Sequence, residues 1–115
     1  MTPDDSVRRI EEFLSHVWMV RTFLKHSDEA ADDDELMEVV RELYDYSLAT
    51  GAALKSGDAA EYLKQARKKL AKLRAATEQF TALQPQISTH TNFQMAATSL
   101  QTAVREIGDV LESAS

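Results

Sequence analysis

Apolar residues recur at helical spacing along almost the whole chain, in four blocks. In the first block Val7, Ile10, Phe13, Leu14, Val17, Val20 and Leu24 form one wide stripe on a helix predicted over residues 3–26. Thr2 stands where an N-cap belongs, Pro3 suits the first turn, and Asp5 completes a capping-box spacing. The second helix, 33–56, takes Asp32 or Asp33 as its cap after an acidic connector. Its inner face is read as Leu36, Val40, Leu43, Tyr44, Ser47, Gly51 and Leu54. Ser47 and Gly51, four residues apart, leave a slot for a large ring such as Trp18 or Phe80.

Ser56-Gly57-Asp58 reads as a turn, with Gly57 ending one helix and Asp58 capping the next. The third helix, 58–84, carries Ala59, Leu63, Ala66, Leu70, Leu73, Thr77 and Phe80 inward, and Pro85 is expected to end it. A loop over 87–91 leads to a fourth helix, 91–113, capped by Thr91 with Gln94 three residues on. That helix has the cleanest stripe: Phe93, Ala96, Ala97, Leu100, Ala103, Val104, Ile107 and Leu111. Four helices of similar length with short links predict an all-α fold. The expected arrangement is an antiparallel up-down-up-down four-helix bundle forming a single domain over residues 1–115.

Composition narrows the function classes. Three Gly and two Pro leave little turn chemistry for a β fold. With no Cys, disulfides, thiolate metal sites and thiol nucleophiles are excluded, and a reducing, cytoplasmic setting is expected. The acidic start of the chain does not read as a secretion signal, and no apolar run is long enough to span a membrane. A formal net charge of −6 argues against nucleic acid as a partner. Acids concentrate between Asp28 and Asp45, where Arg41 is the one base; six bases and no acid lie between Lys64 and Arg74. Adjacent second and third helices would let these flanks complement each other, so the basic ridge is read as solvated or intramolecular rather than as a docking surface.

The chemistry-bearing constellations are few. No Glu-x-x-His pair exists for a di-iron bundle, and no Cys-x-x-Cys-His for haem, so neither metal nor cofactor is expected. Small helical histidine phosphotransfer domains resemble this chain in architecture, but they place Lys three residues after the phosphorylated His. Here Met19, Glu29 and Phe93 follow His16, His26 and His90 at that distance. Arg21-Thr-Phe-Leu-Lys-His26 resembles the Arg–His spacing of HEPN-type ribonucleases, which would imply RNA cleavage by Arg21 and His26. On a continuous helix those two side chains point roughly 140° apart, so they converge only if the helix ends by Leu24 or across a dimer. The bland reading makes Arg21 a half-buried residue that lays its stem on the core and pairs with a carboxylate.

A second apolar surface remains. Met19 and Phe23 lie four apart on the outer side of the first helix beside Trp18, and Val39, Tyr46 and Ala53 form a secondary stripe on the second. Such residue types at helical spacing are those of interface cores. The sequence is therefore read as a non-catalytic interaction or assembly protein. Trp18, Met19, Phe23, Val39 and Tyr46 are its expected contact residues, and a homodimer or another protein its expected partner. Alternatives are the Arg21/His26 ribonuclease and a bundle holding a small apolar ligand near Ser47 and Gly51.

Overall fold

A computed structural model describes residues 1–114. The protein is all-α, 89% helical, with no strand among the described residues. Four long helices, α1 (Pro3–Lys25), α3 (Asp34–Ser56), α4 (Ala59–Ile87) and α5 (Thr91–Ser113), are joined by tight links, and a single turn, α2 (Asp28–Ala31), sits inside the acidic connector. No helix is long and apolar enough to cross a membrane among the described residues.

Each helix start has a local cause. Thr2 and Asp5 form a reciprocal capping box at α1: Thr2 Oγ1 accepts the Asp5 N–H and the Thr2 N–H donates to Asp5 Oδ2. Hydrogen bonding by the Thr2 backbone and side chain holds the Asp5 carboxyl below its ordinary range. Ser27 caps α2, Asp33 caps α3 and Asp58 caps α4, each accepting a backbone N–H from three residues on. Gly57 ends α3 in the left-handed region at φ 72°, which lets the chain turn directly into α4.

Two boundaries differ from expectation. Helix α4 runs through Pro85 to Ile87. Beyond the proline the last turn is held by Ser88, whose N–H donates to the Gln84 carbonyl while the Gln84 side-chain amide donates to the Ser88 carbonyl. One turn before it, Thr81 Oγ1 accepts from Gln101 Nε2 of α5 at 2.7 Å. The proline's missing N–H thus costs one bond, and neighbouring amides hold the segment in place. At α5 the cap is His90, one residue earlier than Thr91: its Nδ1 accepts the Asn92 N–H at 3.0 Å. An imidazole acceptor does there what a hydroxyl does elsewhere.

Helix α1 packs against α3 and α5, α4 packs against the same two, and α1 also touches α4. Ile10, Val17 and Leu24 of α1, Leu36, Val39 and Leu43 of α3, Tyr62, Leu73 and Phe80 of α4, and Leu100 and Ile107 of α5 are fully buried among one another. The second half of α3 is rotated relative to the expected inner face. Tyr46, Thr50 and Ala53 point into the core, while Tyr44 and Leu54 are exposed. Both stripes are apolar enough to serve. With the Tyr46 stripe inward, the buried Tyr46 hydroxyl is satisfied by donating to the Ala66 carbonyl of α4 at 3.0 Å.

Candidate functional site

The outer side of α1 holds the residues that the core does not use. Arg21 projects toward α3, where its guanidinium stands 4.4 Å from the centroid of the Trp18 ring and 5.0 Å from that of Tyr44. The two rings are 6.1 Å apart and tilted by 42°, so they form an aromatic cradle for the cation. No carboxylate lies within ion-pair distance of Arg21 among the described residues, and its Nε is buried with no hydrogen-bond acceptor. The expected carboxylate partner is therefore replaced by aromatic faces. His26 is exposed and forms the C-cap of α1, and no hydrogen bond joins it to Arg21.

Met19 is 64% exposed and separates two grooves. One, of about 340 Å³, runs between α1 and α3; Leu14, Trp18, Met19, Gly51 and Leu54 form its apolar walls. Glu11 lines it too, and accepts the Tyr62 hydroxyl at 2.5 Å. The slot expected near Ser47 and Gly51 is thus an open groove. A Cβ at Gly51 would meet nothing within 4 Å, Phe80 is buried elsewhere in the core, and Trp18 borders the groove without filling it. The other groove, about 320 Å³ between α1 and α5, is lined by Met19, Phe23, Asn92, Met95 and Ser99 among others.

Three expected contact residues need correction. Val39 and Tyr46 are buried in the core, as is Ala53, so the secondary stripe of α3 offers no outer surface. The cause is the rotation of α3 described above. Phe23 is half-buried, its ring packed edge-to-face on Phe93 at 5.0 Å, because α5 closes against that side of α1. Trp18, at 42% exposure, and Met19 stay outside.

Met95, 61% exposed across the groove from Met19, was not singled out by periodicity because it lies off the inner stripe of α5. Charge would have found it. Residues 79 to 104 carry no Asp, Glu, Lys or Arg, and neither do 13 to 20. In a chain that is 28% charged, these stretches leave the groove between α1 and α5 with Asn92 and Ser99 as its polar lining around two methionines.

The charged flanks meet between α3 and α4. Glu42 and Asp45 face Lys68, Lys69 and Lys72 across a groove of about 390 Å³, and no pair closes to 4.0 Å among the described residues. Within α4 and α5, Arg67 donates to the Leu111 carbonyl at 3.3 Å and the Arg74 guanidinium lies against Gly108. No group of three or more His, Asp or Glu side chains is placed to hold a metal ion among the described residues. Comparison of the chain with protein-family models, with curated proteins and with solved structures gives no match.

Proposed function

We propose that this chain is a non-catalytic assembly protein of the cytoplasm: an antiparallel four-helix bundle that pairs with a second copy of itself through the outer face of α1 and the adjoining edge of α5. Several features support the bundle. Each long helix packs on two others, the glycine turn at 57 reverses the chain, and the molecule measures 41 × 22 × 19 Å. Helices of 23 to 29 residues, roughly 34–44 Å long, match the long dimension and far exceed the two short ones, so they run along the long axis.

One observation carries the functional reading. Met19 and Met95 are both exposed, border one groove, and sit in stretches free of formal charge on a chain of net charge −6. Two copies carrying the same negative charge repel over most of their surfaces. A face with no charge to desolvate and flexible apolar side chains at its centre is where they can approach. Two-fold pairing lets Met19 of each copy enter the α1/α5 groove of the other, an isologous contact.

Because the chain has no Cys, single-cysteine variants test the face directly. Met19→Cys should oxidise rapidly to a covalent dimer. Lys68→Cys, on the charged α3/α4 groove, should form no covalent dimer under the same conditions. Equal cross-linking of the two would mean random collision and would remove the proposed face.

The ribonuclease reading has less support. The Arg21 guanidinium is held by two rings, and His26 stands apart from it at the helix end.

A further inference from the structure

We propose that the α1/α3 groove, with the Trp18–Arg21–Tyr44 cluster at one end, binds a small amphiphilic carboxylate: an acid group on an apolar body of about eight carbons. The groove shares Met19 with the face proposed for self-association, and its other lining residues are its own.

The groove has a polarity. Along α1 it runs from Glu11 through Leu14 and Ser15 to Trp18, and along the facing α3 from Leu54 through Gly51 and Thr50 to Ser47. Trp18 lines that end of the groove, and the Arg21 cation, outside the lining itself, stacks on the Trp18 ring one turn further along α1. Its Nε is buried, and no protein acceptor meets its Nη1 or Nη2 donors among the described residues, so the two rings fix its plane while the Nη1/Nη2 end stays unbonded. An arginine stacked in this way keeps its hydrogen-bonding edge for an anion, and a carboxylate matches that edge in the bidentate geometry. Tyr44, 40% exposed, and Trp18 leave the cluster open to solvent, so a ligand can reach it.

The opposite end is anionic. Glu11, already hydrogen-bonded by Tyr62, repels a carboxylate placed there and so fixes the ligand's direction. Between the two ends the walls are Leu14, Trp18, Met19 and Leu54, and the floor at Gly51 is open. A volume of about 340 Å³ is at the lower end of small-molecule sites, which favours a short chain or a single aromatic ring over a long lipid. The chemistry is that of a receptor for a short fatty or aryl acid.

Trp18 is the chain's only tryptophan, so its fluorescence reports the site without a label. The wild-type protein is titrated with octanoate, octanol and octylamine. Octanoate should give a saturable change in Trp18 emission with an affinity about tenfold or more above that of octanol, since a charge-assisted bond is at stake. Octylamine should give none. Arg21→Gln should bring octanoate down to the level of octanol. Gly51→Leu should abolish the response to both; a Cβ at Gly51 meets nothing within 4 Å, so with its fold checked by circular dichroism this variant tests the site even where Arg21→Gln is unstable. Met95→Asp, on the other groove, should leave octanoate binding unchanged. Equal affinities for octanoate and octanol, no saturable change at millimolar octanoate, or undiminished binding to Gly51→Leu would each overturn the proposal.

Discussion

The Arg21 guanidinium lies 4.4 Å from the Trp18 ring centroid and has no acid partner among the described residues. Its role in the folded chain is that of a stacked cation. Arg21→Ala should therefore lower stability by about 1 kcal/mol and shift the emission of Trp18 as its covered face meets water. His26→Ala, at an exposed helix end, should change stability by less than about 0.5 kcal/mol. Neither substitution should alter RNA, because the wild-type chain should not cleave it. A metal-independent ribonuclease activity abolished by both would reverse that assignment.

Phe23 and Met19 separate two roles that periodicity had merged. Phe23 packs edge-to-face on Phe93, whereas Met19 stands out from the fold. Phe23→Ala should cost about 1–3 kcal/mol of folding stability. Met19→Asp should cost less than about 0.5 kcal/mol in the monomer. Urea melts of both variants measure this. A Phe23→Ala midpoint equal to wild type would mean that the ring is not part of the fold's closure.

Tyr46 and Tyr62 set an alkaline limit. Burial raises the pKa of both phenols well above the ordinary tyrosine range. The Glu11 hydrogen bond and charge push Tyr62 further, while Arg74 opposes the shift at Tyr46. A raised folded value means the unfolded chain loses these protons first. The contribution is fully present below about pH 10, the unfolded value, and is lost as pH rises beyond it. Unfolding melts across that range should show falling stability, and Tyr62→Phe should flatten the fall. Phenolate absorbance from all three tyrosines in a chain with intact helical circular dichroism would contradict this.

Gly51 and Gly57 should respond with opposite signs to the same change. Gly51 is inside α3 and a Cβ there meets nothing, so Gly51→Ala should gain up to about 1 kcal/mol of helix propensity. Gly57 ends α3 at φ 72°, and Gly57→Ala should lose about 1–2 kcal/mol. Thermal melts decide; a stabilised Gly57→Ala would mean that the turn is not left-handed.

The all-α character was legible because its signals are local. The spacing of apolar residues, the Thr2/Asp5 capping box and the Gly57–Asp58 turn each depend on a few neighbouring residues. The inner face of α3 was not legible in its second half. Residues 43 to 54 offer two apolar stripes, and the one that faces inward makes its contacts with distant residues, such as the hydrogen bond from Tyr46 to a carbonyl twenty positions away. The same kind of distant contact placed Phe23 on Phe93 and Arg21 between Trp18 and Tyr44. Trp18 and Met19 were legible as surface residues because α1 has one clear core stripe, leaving its other side identifiable. Met95 lies off the apolar stripe of α5, so periodicity does not mark it; the lack of charge around it does.

Light scattering over a concentration series tests self-association through the α1/α5 face most directly. Met19→Asp and Met95→Asp put a charge on the proposed face, and Leu48→Asp serves as the control. Leu48 is 63% exposed, as apolar as either methionine, but borders the charged α3/α4 groove. The account predicts a dimer for wild type and for Leu48→Asp, and monomers for both methionine variants. A wild-type chain that stays monomeric at every concentration, or a dimer that only Leu48→Asp dissociates, would contradict it.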